Sequence, residues 1–211
     1  SFSNKDEIFF QFLKENEIWS NFYSEINSPS FLNKFLKLIK KDLKNIDERK
    51  KLKNFVYIDN DKRNFILSKV KTKLKSLLYT PVRIGMQFSI IKSGAFIPPH
   101  CDTKNKLLSL MIYFPEKKKI YKNKEIFLGN NFFKKKNNLK KKLFDGWNST
   151  LLSKKDTNFF FKNYDLFYKS KFEKNKIVGF LKNDKSWHNL DKFNLPATYF
   201  RKSVNINLYL D

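Results

Sequence analysis

Ile97-Pro98-Pro99-His100-Cys101-Asp102 is the stretch on which the reading of this chain turns. In an extended strand, residues i and i+2 point to the same face, about 6.6 to 6.8 Å apart along the chain. His100 and Asp102 can therefore converge on one ion, while Cys101 faces the other way as a small core residue rather than a ligand. The chain has only 2 histidines, and the second, His188, lies far downstream in Ser186-Trp187-His188. A strand through that segment brings His188 beside the first pair and turns Trp187 into the core.

Outward from this triplet the texture is that of strands. Arg83 to Ile91 alternates, with Ile84, Met86, Phe88 and Ile90 on one side and Gly85, Gln87 and Ser89 on the other. Ser93-Gly94 supplies a turn, and Leu107 to Phe114 is apolar enough for a strand buried on both faces. Further strands are expected at Asn158 to Lys162, Lys176 to Leu181, Ser186 to Leu190 and Thr198 to Leu210. From Pro115 to about Lys155 the chain is polar, with lysine runs at 117 to 119, 134 to 136 and 140 to 142. Most of this segment is expected as loop or insertion, with one strand within Glu125 to Phe133; it reads as a solvated face or as a lid over substrate.

Residues 1 to about 80 read as mostly helical. Ile8, Phe9, Phe12 and Leu13 recur at helix spacing, and Ser28-Pro29-Ser30 supplies a capping residue and a helix-start proline. Phe31, Leu32, Phe35, Leu36, Ile39, Leu43 and Ile46 then form an apolar stripe, and a third helix is expected from Asp61 to Leu78. These stripes are packing surfaces. A helical block followed by short strands separated by turns implies an α+β chain, mainly β, in which a β-sandwich or barrel is braced by helices.

At 211 residues the chain can bury a substantial core and needs no more than one domain. Its formal net charge of +24 raises the question of nucleic acid or an anionic membrane. Lysine supplies nearly all of the basic residues, and Asn, Phe, Ile and Tyr, which share its AT-rich codons, are also abundant. A compositional bias is therefore the preferred reading of the lysines over a nucleic-acid partner. In either case the field favours the approach of small anions. One cysteine, Cys101, excludes an intrachain disulfide framework. No segment approaches the ~18 apolar residues of a membrane span. Ser1 to Lys14 carries acids and lacks a basic start followed by an apolar run, so no secretory signal is read there and the cytoplasm is the expected compartment.

Two histidines and one carboxylate form the 2-His-1-carboxylate facial triad, which leaves octahedral positions open for a chelating cosubstrate and dioxygen. A structural zinc site would close its coordination, usually with four Cys or His ligands, which this chain does not have. The plain alternative is a hydrogen-bonded His–Asp pair and an unrelated second histidine. Arg201 and Ser203 are spaced to share a strand face, continued by Asn205 and Asn207, with Val204, Ile206, Leu208 and Leu210 opposite. An inward-facing arginine there is a fork for a ligand acid group; facing outward it is a surface ion pair.

Taken together, Met86 to Gly94, Ile97 to Asp102, Leu107 to Phe114, Ile177-Val178-Gly179-Phe180, Trp187-His188 and Arg201-Lys202-Ser203 resemble the iron(II)/2-oxoglutarate-dependent oxygenase superfamily, in its prolyl hydroxylase-like branch. The resemblance covers roughly Met86 to Leu210. It implies a double-stranded β-helix, or jelly roll, with the helical residues 1–80 as support and a Lys-rich insertion at about 115–155, all in one domain. It also implies that His100, Asp102 and His188 hold Fe(II), that Arg201 grips the distal carboxylate of 2-oxoglutarate with Ser203 assisting, and that Tyr113 is a further cosubstrate contact. Two departures stand out. Ile91 occupies a position where many relatives have tyrosine, and the paired glycines usual before the later strands are reduced to Leu128-Gly129-Asn130-Asn131-Phe132.

The reaction so implied is oxidative decarboxylation of 2-oxoglutarate to succinate and CO2, with O2 as oxidant, coupled to hydroxylation of a C–H bond. A small-molecule or sugar-like substrate is the first reading. A protein or nucleic-acid substrate docked on the lysine-rich surface is the second, and a non-enzymatic cupin-like binding module is the third.

Overall fold

The computed structural model describes residues 2–3, 5–45, 54–57, 79–115, 128–136, 144–146, 148–196 and 198–210. The helix expected from Asp61 to Leu78, and the lysine runs at 117 to 119 and 140 to 142, lie outside the described residues.

Helices come first. Asp6 precedes α1 (Glu7–Glu15), whose Phe9 and Leu13 are buried four residues apart. At Asn16 the backbone leaves helical geometry and the side chain donates to the Phe12 carbonyl at 2.8 Å, which separates α1 from α2 (Glu17–Ile26). Pro29 opens α3 (Pro29–Asn45) as expected, and Ser28 Oγ accepts the Phe31 N–H at 3.1 Å. Leu32, Leu36 and Leu43 form its buried stripe.

The strands are β1 (Phe2–Ser3), β2 (Asn54–Tyr57), β3 (Tyr79–Lys92), β4 (Ile97–Cys101), β5 (Lys106–Tyr113), β6 (Asn131–Lys135), β7 (Ser149–Thr150), β8 (Tyr164–Lys169), β9 (Ile177–Leu181), β10 (His188–Leu190) and β11 (Phe200–Leu210). They form two sheets. The larger runs β1-β3-β11-β5-β9, with β2 parallel to β3, and the other runs β7-β4-β10-β6-β8 with antiparallel neighbours. The chain is thus mainly β with a few helices. By its contacts it divides into two compact units, one of Phe88–Lys104 and Ser109–Asn205, the other of Phe2–Gln87, Asn105–Leu108 and Ile206–Asp211.

Two expectations are corrected. Asn158 to Lys162 is not a strand but part of α4 (Lys154–Asn163). Phe159-Phe160-Phe161 carries β propensity, yet Ser153 caps the helix by accepting the Asp156 N–H at 3.0 Å, and helical spacing buries only Phe160. Among the described residues of 115–155, β6 begins inside the expected Glu125 to Phe133 window but runs beyond it, so that Lys134 and Lys135 are strand residues rather than loop, and β7 adds a second strand. The strand β8, which pairs with β6, was not foreseen.

In the first unit the sheets meet through side chains. Phe132 of β6 packs on Phe180 of β9 at 5.1 Å, within a cluster that also holds Met111, Tyr113, Phe172 and Val178. On the other face of β4 and β10, Cys101 and Trp187 join Phe133, Leu151, Phe160 and Tyr164. This second cluster fixes the strand pair from behind, as the alternation around His100 and His188 requires.

Candidate metal centre

Strands β4 and β10 are antiparallel neighbours, and His188 is registered directly opposite His100. The two rings lie 4.0 Å apart. Asp102 follows β4 by one residue and places its Oδ2 4.0 Å from His188 Nε2. One ligand atom from each of the three residues lies within 4.8 Å of the other two.

Each imidazole is oriented by a carbonyl two residues upstream. His100 Nδ1 lies 2.9 Å from the Pro98 carbonyl, and His188 Nδ1 lies 3.0 Å from that of Ser186. A carbonyl only accepts, so each Nδ1 carries a proton, and in the neutral ring each Nε2 is the nitrogen left with a lone pair. His188 is further held by the rings of Phe180 at 4.7 Å and Phe132 at 5.9 Å. These apolar rings lower the local dielectric around the triad. Cys101 faces away, as expected, and burial pushes its thiol up to about 12 despite the nearby Lys182 charge. It is a packing residue rather than a thiolate ligand.

Arg201 lies inward on β11 and is only 3% exposed. Its Nε donates to the Leu128 carbonyl at 2.7 Å, Nη2 to Asn130 Oδ1 at 2.8 Å and Nη1 to Ser203 Oγ at 3.4 Å. The cation also stands 5.2 Å from the Tyr113 ring and 5.8 Å from that of Phe172. Burial pulls its pKa below the ordinary arginine value, and Tyr113 acts in the opposite sense. Among the described residues no carboxylate pairs with it, so a buried cation is held by neutral groups alone.

Tyr113 connects the two features. It belongs to the cluster of Phe132 and Phe180, both of which touch the His188 ring, and it lies beneath Arg201. The triad and the arginine therefore share one aromatic wall. The Tyr113 hydroxyl reaches Ser170 Oγ at 2.9 Å and Asn130 Oδ1 at 3.3 Å. Arg201, Ser203 and Tyr113, which the sequence singles out, are brought together with Asn130 and Ser170, which it does not. Asn130 carried a signal, since it stands beside Gly129 where a second glycine was expected; Ser170 carried none. Ile91 packs against the cluster of Leu128, Leu190, Phe193, Leu195 and Tyr199, so that position is apolar support.

No protein-family model matches the chain, and no curated protein matches it. Among solved structures it is similar to a prolyl-4-hydroxylase from Pseudomonas putida, with 13% identity over 72% of this chain and 70% of that one and a TM-score of 0.37. No helix among the described residues is long and apolar enough to cross a membrane.

Proposed function

We propose that this protein is an Fe(II)- and 2-oxoglutarate-dependent oxygenase that hydroxylates a small-molecule substrate. The observation that carries the reading is the convergence of His100, Asp102 and His188 from two paired strands, with both imidazoles aimed through Nε2. Two neutral nitrogens and one carboxylate suit Fe(II) and leave up to three coordination positions for other ligands.

The donor set fits the metal. Oδ2 of Asp102 and Nε2 of His188 lie 4.0 Å apart, and these two residues with His100 would hold the ion between them. Bound iron supplies the activation of dioxygen. The chain's own residues do the rest: the Pro98 and Ser186 carbonyls hold the imidazole tautomers, and Phe132 and Phe180 exclude water beside His188. Arg201 offers a desolvated positive charge to the distal carboxylate of 2-oxoglutarate, Ser203 supports its Nη1 side, and Tyr113 supports it through the ring face.

The strand order favours a jelly roll. β3, β4, β5 and β6 alternate between the larger and the smaller sheet, β8 pairs back onto β6, and β9, β10 and β11 alternate again. That winding places β4 and β10, the carriers of the two histidines, side by side. We take the chain as a single oxygenase domain on this basis.

Anaerobic addition of Fe(II) and 2-oxoglutarate tests the reading. A visible charge-transfer band is expected, lost in His188→Ala. No band in the intact protein would favour a binding module that uses the same sheets without oxygenase chemistry.

A further inference from the structure

We propose that Asn130 is a positioning residue that decides how Arg201 receives a carboxylate. The inference rests on reading Arg201 as the cosubstrate's acid-binding group, and it adds a determinant of selectivity that is particular to this chain.

A guanidinium has five N–H donors and two usable forks, one formed by Nε with Nη2 and one by Nη1 with Nη2. Here the first fork is filled. Leu128 O takes Nε at 2.7 Å and Asn130 Oδ1 takes Nη2 at 2.8 Å. A carboxylate is thereby directed to the Nη1–Nη2 end, where Ser203 Oγ makes only a long contact at 3.4 Å that a charged acceptor readily displaces.

The neutrality of the Asn130 side chain matters as much as its position. Its Oδ1 accepts from Arg201 Nη2 and from the Tyr113 hydroxyl, and two donors on one oxygen fix the amide with that oxygen inward. An amide orients the cation without cancelling its charge, whereas a carboxylate at 130 would form an ion pair inside the protein and repel the ligand's acid.

The asparagine is itself tied down. Ser170 Oγ accepts the Asn130 N–H at 2.7 Å, and the Ser170 N–H donates to the Asn130 carbonyl at 2.9 Å. Gly129 allows this approach, because a Cβ there would lie 1.6 Å from the Ser170 carbonyl oxygen. Asn130, Ser170, Arg201 and Tyr113 are all buried, so the linkage stands in a low dielectric where a change of charge is felt strongly.

The test is calorimetric titration of Mn(II)-loaded protein with 2-oxoglutarate and, separately, with pyruvate, a 2-oxo acid that lacks the second carboxylate. The intact protein is expected to prefer 2-oxoglutarate by about tenfold or more, the scale of one charge-assisted hydrogen bond. In Asn130→Asp that preference disappears while pyruvate and Mn(II) affinities stay unchanged, a pattern that general loss of structure would not produce. Should that variant fail to fold, Asn130→Ala removes the acceptor without adding charge and is expected to reduce the preference. Retention of the full preference in a folded variant overturns the role of Asn130. Equal affinity for both acids in the intact protein instead overturns the reading of Arg201, and the inference with it.

Discussion

Each imidazole of the candidate centre is aimed by its own strand, through the carbonyl two residues before it. The alternation of a strand is enough to read His100 and Asp102 on one face and Cys101 on the other from sequence, and the same rule turned Trp187 away from His188. The inward position of Arg201 was legible for a related reason, since Ser203 shares its face and Val204, Ile206 and Leu208 alternate with it. The contact of Asn130 with Arg201 and that of Ser170 with Asn130 were not legible, because they span 71 and 40 residues of sequence and no local periodicity encodes them. Arg201→Lys tests the fork at this scale. A lysine keeps the charge and loses the planar pair of donors, so 2-oxoglutarate affinity is expected to fall by about 10- to 100-fold with Fe(II) affinity unchanged. Equal affinity for 2-oxoglutarate in the variant would show that charge alone is sufficient.

Among the elements, the strands that hold the site were read well and α4 was not. A run of three phenylalanines satisfies a strand as easily as a buried helix face, and the decision came from a cap at Ser153 and from one ring finding a place in the core. That ring, Phe160, stacks on Tyr164 at 4.3 Å and lies 5.2 Å from Trp187, directly behind His188 in the chain. Phe160→Ala is expected to cost about 3–5 kcal/mol of stability by chemical denaturation, a large share of the ~5–15 kcal/mol of a typical domain. A loss below about 1 kcal/mol would mean that α4 does not brace the strand pair.

Tyr164 in the same cluster has its hydroxyl pKa raised, first by burial and then by Cys101 and Asp184. Below the ordinary tyrosine value of about 10 both the folded and unfolded hydroxyls are protonated; above it the unfolded chain ionises first. Stability is therefore expected to fall as pH rises past about 10, and Tyr164→Phe should flatten that fall. An identical alkaline slope in the variant would count against the raised value.

At the scale of the whole molecule, the net charge of +24 acts at a distance and the buried arginine acts on contact. A dianion approaching this surface is steered by a field that salt screens, with a Debye length of about 30 Å at 0.01 M and about 3 Å at 1 M. On the proposed reading of Arg201, the association rate of 2-oxoglutarate is expected to fall as ionic strength rises, while its dissociation rate, which Arg201 would set, changes little. Stopped-flow measurement of both rates checks this, and a salt effect confined to dissociation would contradict it. Charge and composition bounded these possibilities without choosing a substrate, because the residues that would line its approach are spread over many segments of sequence.

The meeting of His100, Asp102 and His188 around one ion is measured most directly by equilibrium binding of Fe(II) under anaerobic conditions. One ion per chain is expected in the intact protein, with the site lost or greatly weakened in each of His100→Ala, Asp102→Ala and His188→Ala. Undiminished binding of one Fe(II) by folded His188→Ala would contradict it.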